Sequence, residues 1–151
     1  MTRFIAEVSS NHDQSLERSL ETVRAAARAG CDAVKFQLFK VEELFSVEAR
    51  TAKPELEARK LWELPLEFVP ALSAESRLLG LEFGCTPFYL DAVKELLGHV
   101  DFFKIASYEL LWTDLLVSVA STSVPIVIST GMADLNEVKT AVSVAQEAGA
   151  K

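Results

Sequence analysis

Asp32-Ala33-Val34-Lys35-Phe36-Gln37-Leu38-Phe39 is an apolar run with a lysine and a glutamine at one phase of period two and Val34, Phe36 and Leu38 at the other. In a strand, alternate side chains point to opposite faces, so one face is wholly apolar and the other presents Lys35 beside Gln37. A lysine there must reach water, pair with a carboxylate or meet an anion, because an isolated buried ammonium is too costly. Taken alone, the run is equally a strand with one solvated face. Asp101-Phe102-Phe103-Lys104-Ile105-Ala106-Ser107 repeats the design, with Tyr108 and Glu109 following. An anion held between parallel strands would explain both lysines, and the carboxyl ends of such strands are where α/β proteins bind ligands.

The chain has 151 residues, half of them hydrophobic, which is enough to bury one core and suggests one domain. No stretch is apolar for long enough to span a bilayer. Glu7 falls where a signal peptide would need its apolar segment, so a cytoplasmic protein is expected. Cys31 and Cys85 lack metal-ligand spacing and read as packing residues rather than a disulfide or metal pair. The net charge of -7 argues against a nucleic-acid surface, so a bound anion must be attracted locally.

Phe4 to Val8 reads as a first strand, followed by a polar connection through Ser9, Asn11, His12 and Asp13. A helix capped by Asp13 or Ser15 carries Leu16, Leu20, Val23 and Ala27 at helical spacing and ends at Gly30. Residues 40 to 65 are charged and irregular, with a short helix around Pro54 to Trp62, and form a lid or a contact surface. A helix from Glu67 to Leu79, a strand from Leu81 to Thr86 closed by Pro87, and a helix from Asp91 to Leu97 follow. After the Lys104 strand come a helix capped by Thr113 or Asp114, a strand from Pro125 to Ser129, and a last helix opened by an Asp134 and Glu137 capping box.

Five strands alternating with five helices predict a parallel α/β sheet with right-handed crossovers. GxGxxG and GxxxxGK[ST] do not occur, leaving a (β/α) barrel or an open flavodoxin-like sheet. Glu7, Lys35, Gln37, Thr86, Lys104, Ser107, Glu109, Ser129 and Thr130 fall at or near carboxyl ends of successive strands, which favours the TIM-barrel type.

Phe4-Ile5-Ala6-Glu7 with Asn11-His12, Val34-Lys35-Phe36-Gln37, Thr86-Pro87-Phe88, Lys104-Ile105-Ala106-Ser107-Tyr108-Glu109 and Ile128-Ser129-Thr130-Gly131-Met132-Ala133 stand in the order of one family. The chain resembles the sialic acid synthases, including the N-acetylneuraminate, pseudaminic and legionaminic acid synthases and their spore-coat polysaccharide relatives. That resemblance implies transfer of phosphoenolpyruvate onto an N-acylated amino sugar, N-acetylmannosamine or a di-N-acetylated relative, giving a nine-carbon acid and phosphate. On the same analogy Lys35, Thr86, Lys104, Ser107 and Ser129 hold phosphoenolpyruvate, Gln37 faces the sugar, Glu7 and Glu109 serve the proton and water steps, and Asn11 and His12 lie near the substrate. Tyr108 resembles the pseudaminic and spore-coat branch.

The family also implies an eight-stranded barrel of about 250 residues or more, a divalent metal (manganese or magnesium) held by two histidines of its later strands, and a carboxyl-terminal antifreeze-like domain. His12 and His99 do not match those metal positions, so no metal ligand is assigned here. Residues 1 to 151 correspond to the amino-terminal part of the barrel, truncated after about five βα units, with the later strands and the antifreeze-like domain expected elsewhere. Such a piece is expected to be inactive alone and to cover its open edges as a homo-oligomer, most simply a dimer. A non-catalytic anion-binding or assembly module and a related phosphoenolpyruvate-dependent sugar-acid synthase are the alternatives.

Overall fold

A computed structural model describes residues 2 to 150. Five parallel strands lie in sequential order: β1 (Ile5–Ser9), β2 (Ala33–Leu38), β3 (Glu82–Pro87), β4 (Phe102–Ile105) and β5 (Ile126–Ile128). The crossovers carry α1 (Leu16–Arg28), the short α2 (Val41–Leu44) and α3 (Val47–Ala52), then α4 (Val69–Leu78), α5 (Leu90–Leu96), α6 (Thr113–Ala120) and α7 (Leu135–Glu147). Each strand pairs with the next one in the chain, the order of a (β/α) barrel wall rather than of a doubly wound sheet, which reverses direction from its first strand.

Register decides what each face carries. Glu7 pairs with Lys35, Lys35 with Gly84, Gln37 with Thr86, and Gly84 with Phe102, so these residues share the concave face. Val34, Phe36, Phe83, Cys85, Phe103 and Ile105 occupy the opposite phase and are fully buried under the helices. Burying aliphatic and aromatic side chains there stabilises the sheet by roughly 1.5–3 kcal/mol each. Gly84 has a distinct reason: a Cβ built on it would come within 2.1 Å of the Phe102 ring. Only glycine leaves room for that ring against β3, at the register level of Lys35 and two residues before Lys104 on its own strand.

The local signals resolve as follows. Ser15, not Asp13, caps α1 by accepting from the Arg18 amide. Asp134 and Glu137 complete the capping box of α7. For α6 neither expected residue caps: Trp112 holds the cap position without a side-chain bond, and Thr113 is already helical. The 40 to 65 excursion is more ordered than its composition indicates. It contains α2, α3 and a 3-10 stretch from Pro54 to Trp62, anchored by buried Val41, Leu56 and Leu64.

Candidate active site

The site is built from the strand ends inward. Lys35 is buried on β2, where its Nζ meets Glu7 Oε2 of β1 at 2.5 Å and donates to Thr86 Oγ1 of β3 at 3.1 Å. Ser9 donates its amide to the other oxygen of Glu7 at 3.0 Å, fixing the carboxylate across the β1–β2 junction. Two strands away, Lys104 Nζ donates to the Ile105 carbonyl and to Ser129 Oγ, each at 2.6 Å. Burial lowers the Lys104 pKa, the charge of Lys35 lowers it further, and Glu7 and Glu109 oppose them. A half-buried lysine held below its ordinary pKa beside a second lysine is an arrangement that an anion would stabilise.

Glu109 enters from the 3-10 turn Ser107–Glu109 that follows β4. It is 8% exposed, and its Oε2 has no hydrogen-bond partner among the described residues. Burial pushes its pKa up, against the pull of Lys104. A carboxyl group whose pKa is raised by burial is better suited than an exposed one to deliver a proton to a reacting oxygen.

These groups converge on one cavity of about 760 Å3. Of the ten candidate residues, Glu7, Lys35, Gln37, Thr86, Lys104, Ser107, Glu109 and Ser129 line it. Asn11 lines a smaller chamber beside it. His12 lines neither: it is fully buried below the first connection, with Nδ1 accepting from the Gln14 amide at 3.0 Å. Burial lowers its pKa, while the Trp62 backbone and Asp13 act in the other direction. Gln14 in turn donates its side-chain amide to the Lys60 carbonyl at 2.7 Å, so this connection holds down the 54–62 stretch. Ser9, Asp13 and Gln14 all have positive φ, the strain such a wrapped loop must carry.

That stretch supplies what sequence reasoning did not name. Leu44, Phe45 and Arg59 also line the main cavity. They come from an irregular segment with no period to place them, and its composition, with basic and acidic residues nearly balanced, gives no signal that singles them out. Among the described residues no group of three His, Cys, Asp or Glu side chains is arranged to hold a metal ion. Nor is any helix among them long and apolar enough to cross a membrane.

A family model described as the NeuB family matches residues 22–151. The chain belongs to the NeuB family. Among this NeuB chain's relatives, the N,N'-diacetyllegionaminic acid synthase of Legionella pneumophila is 38% identical over 94% of the chain and 43% of that enzyme. The pseudaminic acid synthase of Helicobacter pylori is 32% identical, covering 93% of the chain and 45% of the enzyme. The crystal structure of N-acetylneuraminic acid synthetase from Leptospira borgpetersenii, in complex with citrate, superposes with a TM-score of 0.87 at 29% identity over 96% of the chain and half of that protein. The NeuB chain thus spans less than half the length of the two curated relatives, and its α/β sheet is the corresponding part of a TIM-barrel-type synthase.

Proposed function

We propose that this chain carries the phosphoenolpyruvate half of a sialic-acid-type synthase, which joins phosphoenolpyruvate to an N-acyl amino sugar. The observation that carries the reading is the convergence of Lys35, Lys104 and the buried Glu109, its pKa raised by desolvation, on one cavity. Phosphoenolpyruvate has a phosphate and a carboxylate, and the two lysines, from strands on either side of β3, offer one cation to each. Ser107, Ser129 and Thr86 add hydroxyl donors around them. A solved relative that holds citrate, a small polycarboxylate, is consistent with an anion-binding family.

In the reaction, C3 of phosphoenolpyruvate forms a bond to the sugar's aldehyde carbon, and the carbonyl electron pair moves to oxygen. Glu109 protonates that oxygen. Positive charge then develops at C2, opposite the carboxylate of Glu7, which also takes a proton from the water that adds there. The tetrahedral product expels inorganic phosphate by breaking the bond between C2 and the bridging oxygen, leaving the 2-keto acid. Before substrate arrives Glu7 is engaged by Lys35, so the incoming anion must draw that lysine away and free the carboxylate. Among the described residues β1 and β5 are each bonded on one side only.

Titration calorimetry with phosphoenolpyruvate and with inorganic phosphate tests the reading. Binding by the parent chain, weakened at least about thirty-fold in Lys35→Met and in Lys104→Met, is the expected outcome, since truncating one partner of a desolvated charge pair costs roughly 2–5 kcal/mol. Unchanged affinity in both variants would place the anion elsewhere.

A further inference from the structure

β1 does not run straight to its end. Glu7 pairs with Lys35 but Ser9 pairs with Phe36, so two steps along β1 answer one along β2, and the strand closes in a bulge. Bulges are uncommon in parallel pairs and re-aim side chains beside active sites. Here the backbone takes a left-handed turn: Ser9 has a φ of 54°, which a residue with a Cβ keeps only when its surroundings hold it there. What the turn gains is the Ser9 amide, which is brought back onto Oε1 of Glu7 at 3.0 Å.

Asn11 supplies the hold. Its Nδ2 donates to the Val8 carbonyl at 3.0 Å and its backbone amide to the same oxygen at 3.1 Å, closing the turn from Val8 to Asn11 around Ser9. The side-chain atom facing Val8 is the nitrogen, because a carbonyl only accepts. Arg18 of α1 donates to the Asn11 carbonyl at 3.1 Å and ties the turn to the helix. No second strand shares the task, since among the described residues β1 pairs with β2 alone. Asn11 borders the smaller chamber, but these hydrogen bonds all serve the turn.

The two oxygens of Glu7 are therefore held differently. Oε2 meets Lys35, which an anion would draw away, and Oε1 meets a backbone amide that no ligand competes for. The Glu7 side chain is 46% exposed, so without the amide its carboxylate would be free to follow the departing ammonium.

We propose that Asn11 is a positioning residue for Glu7: by holding the bulge at Val8 and Ser9 it keeps the Ser9 amide on the carboxylate, so that Glu7 stays in place when Lys35 turns to an anion. The inference rests on the reading that the cavity takes an anion between its lysines, and it assigns Asn11 to the backbone of β1 rather than to the substrate.

Nuclear magnetic resonance on the full chain reads this clamp as the scalar coupling through the hydrogen bond from the Ser9 amide nitrogen to the Glu7 carboxylate carbon, and as a downfield Ser9 amide proton. Both are expected in the parent chain, free and saturated with inorganic phosphate. Asn11→Asp, nearly the same shape but ionised and unable to donate, should lose the coupling and move the Ser9 proton upfield. Asn11→Ser, whose hydroxyl can donate to the same carbonyl, should keep both. A purely structural Asn11 would lower the unfolding midpoint of Asn11→Asp with the coupling intact, which overturns the proposal. So does a parent chain without the coupling, a coupling that phosphate abolishes, or one that Asn11→Ser fails to keep. Where Asn11→Asp does not fold, Asn11→Ala replaces it, and failure of both to fold also overturns the proposal, since the residue then carries the strand and not the aim of Glu7. Phosphate that does not bind sinks the anion reading of the cavity, whereas the variants of the free chain judge the clamp by itself.

Discussion

The two ends of the cleft are made of different material. At the anion end every charged group sits on a strand or within four residues of one, and its direction is set by register: Glu7 against Lys35, Lys35 against Gly84, Lys104 against Val127. At the other end Leu44, Arg59 and Trp62 come from a 3-10 and short-helix excursion, held through polar contacts from the first connection. A sheet fixes side-chain direction cooperatively, whereas the excursion depends on a few bonds that can be broken one at a time. The strand-borne end is thus set by the sheet as a whole, and the excursion can change without disturbing the register of the strands.

Breaking the rigid end should have the larger effect. Gly84→Ala forces a Cβ into the Phe102 ring, and overpacking of this kind costs typically 1–3 kcal/mol. We expect chemical denaturation to show a loss of that size and phosphate binding to weaken with it, because Gly84 pairs directly with Lys35 and a shifted β3 would displace that lysine. Pairing Gly84→Ala with Phe102→Leu should recover part of the stability. If Gly84→Ala alone is neutral, the ring has room to move and the floor is not rigid.

The same contrast explains what could be read from the residues. Lys35 and Lys104 stood out because period two isolates a charge on an otherwise apolar strand, and Glu7, Thr86 and Ser129 followed from their places at strand ends. Nothing comparable marks Arg59: its partners Phe45 and Trp62 lie fourteen and three residues away in a segment without a regular repeat, and their meeting depends on the fold of the whole excursion. His12 shows the opposite difficulty. Its position in a polar connection after a strand suggests a substrate contact, but the positive φ values at Asp13 and Gln14 turn the chain so that the ring goes under the loop.

The softer end should respond to His12. Replacing it with alanine leaves the Gln14 amide without its acceptor and loosens the carboxamide that holds Lys60 and Glu63. A loss of about 0.5–1.5 kcal/mol for this half-buried hydrogen bond is expected, read as faster amide hydrogen exchange across residues 54–64 with β2 and β4 unchanged. His12→Asn, whose side-chain oxygen can occupy the place of Nδ1, should restore protection. Exchange that accelerates equally in the strands would show the two ends to be one cooperative unit, and the contrast between them would fail.

The smallest effect is a proton. Burial and Lys35 hold the Lys104 pKa below the ordinary lysine range, so as pH rises the folded chain loses this proton before the unfolded chain does. Between the lowered and the ordinary values the unfolded state binds more protons, and stability therefore increases with pH through that window. The charged Lys104 costs stability at neutral pH, and a bound anion offsets that cost. Anion affinity must run the other way, constant while Lys104 is charged and falling as pH climbs through its lowered pKa, ahead of ordinary lysine titration. Calorimetry of phosphate binding in buffers of different ionisation enthalpy should show proton uptake in the window, because the anion raises the lysine's pKa again. Lys104→Met should remove the rise in stability and this part of the uptake together. If both persist in that variant, the titrating group is not Lys104, and the coupling between the two lysines is weaker than their shared cavity implies.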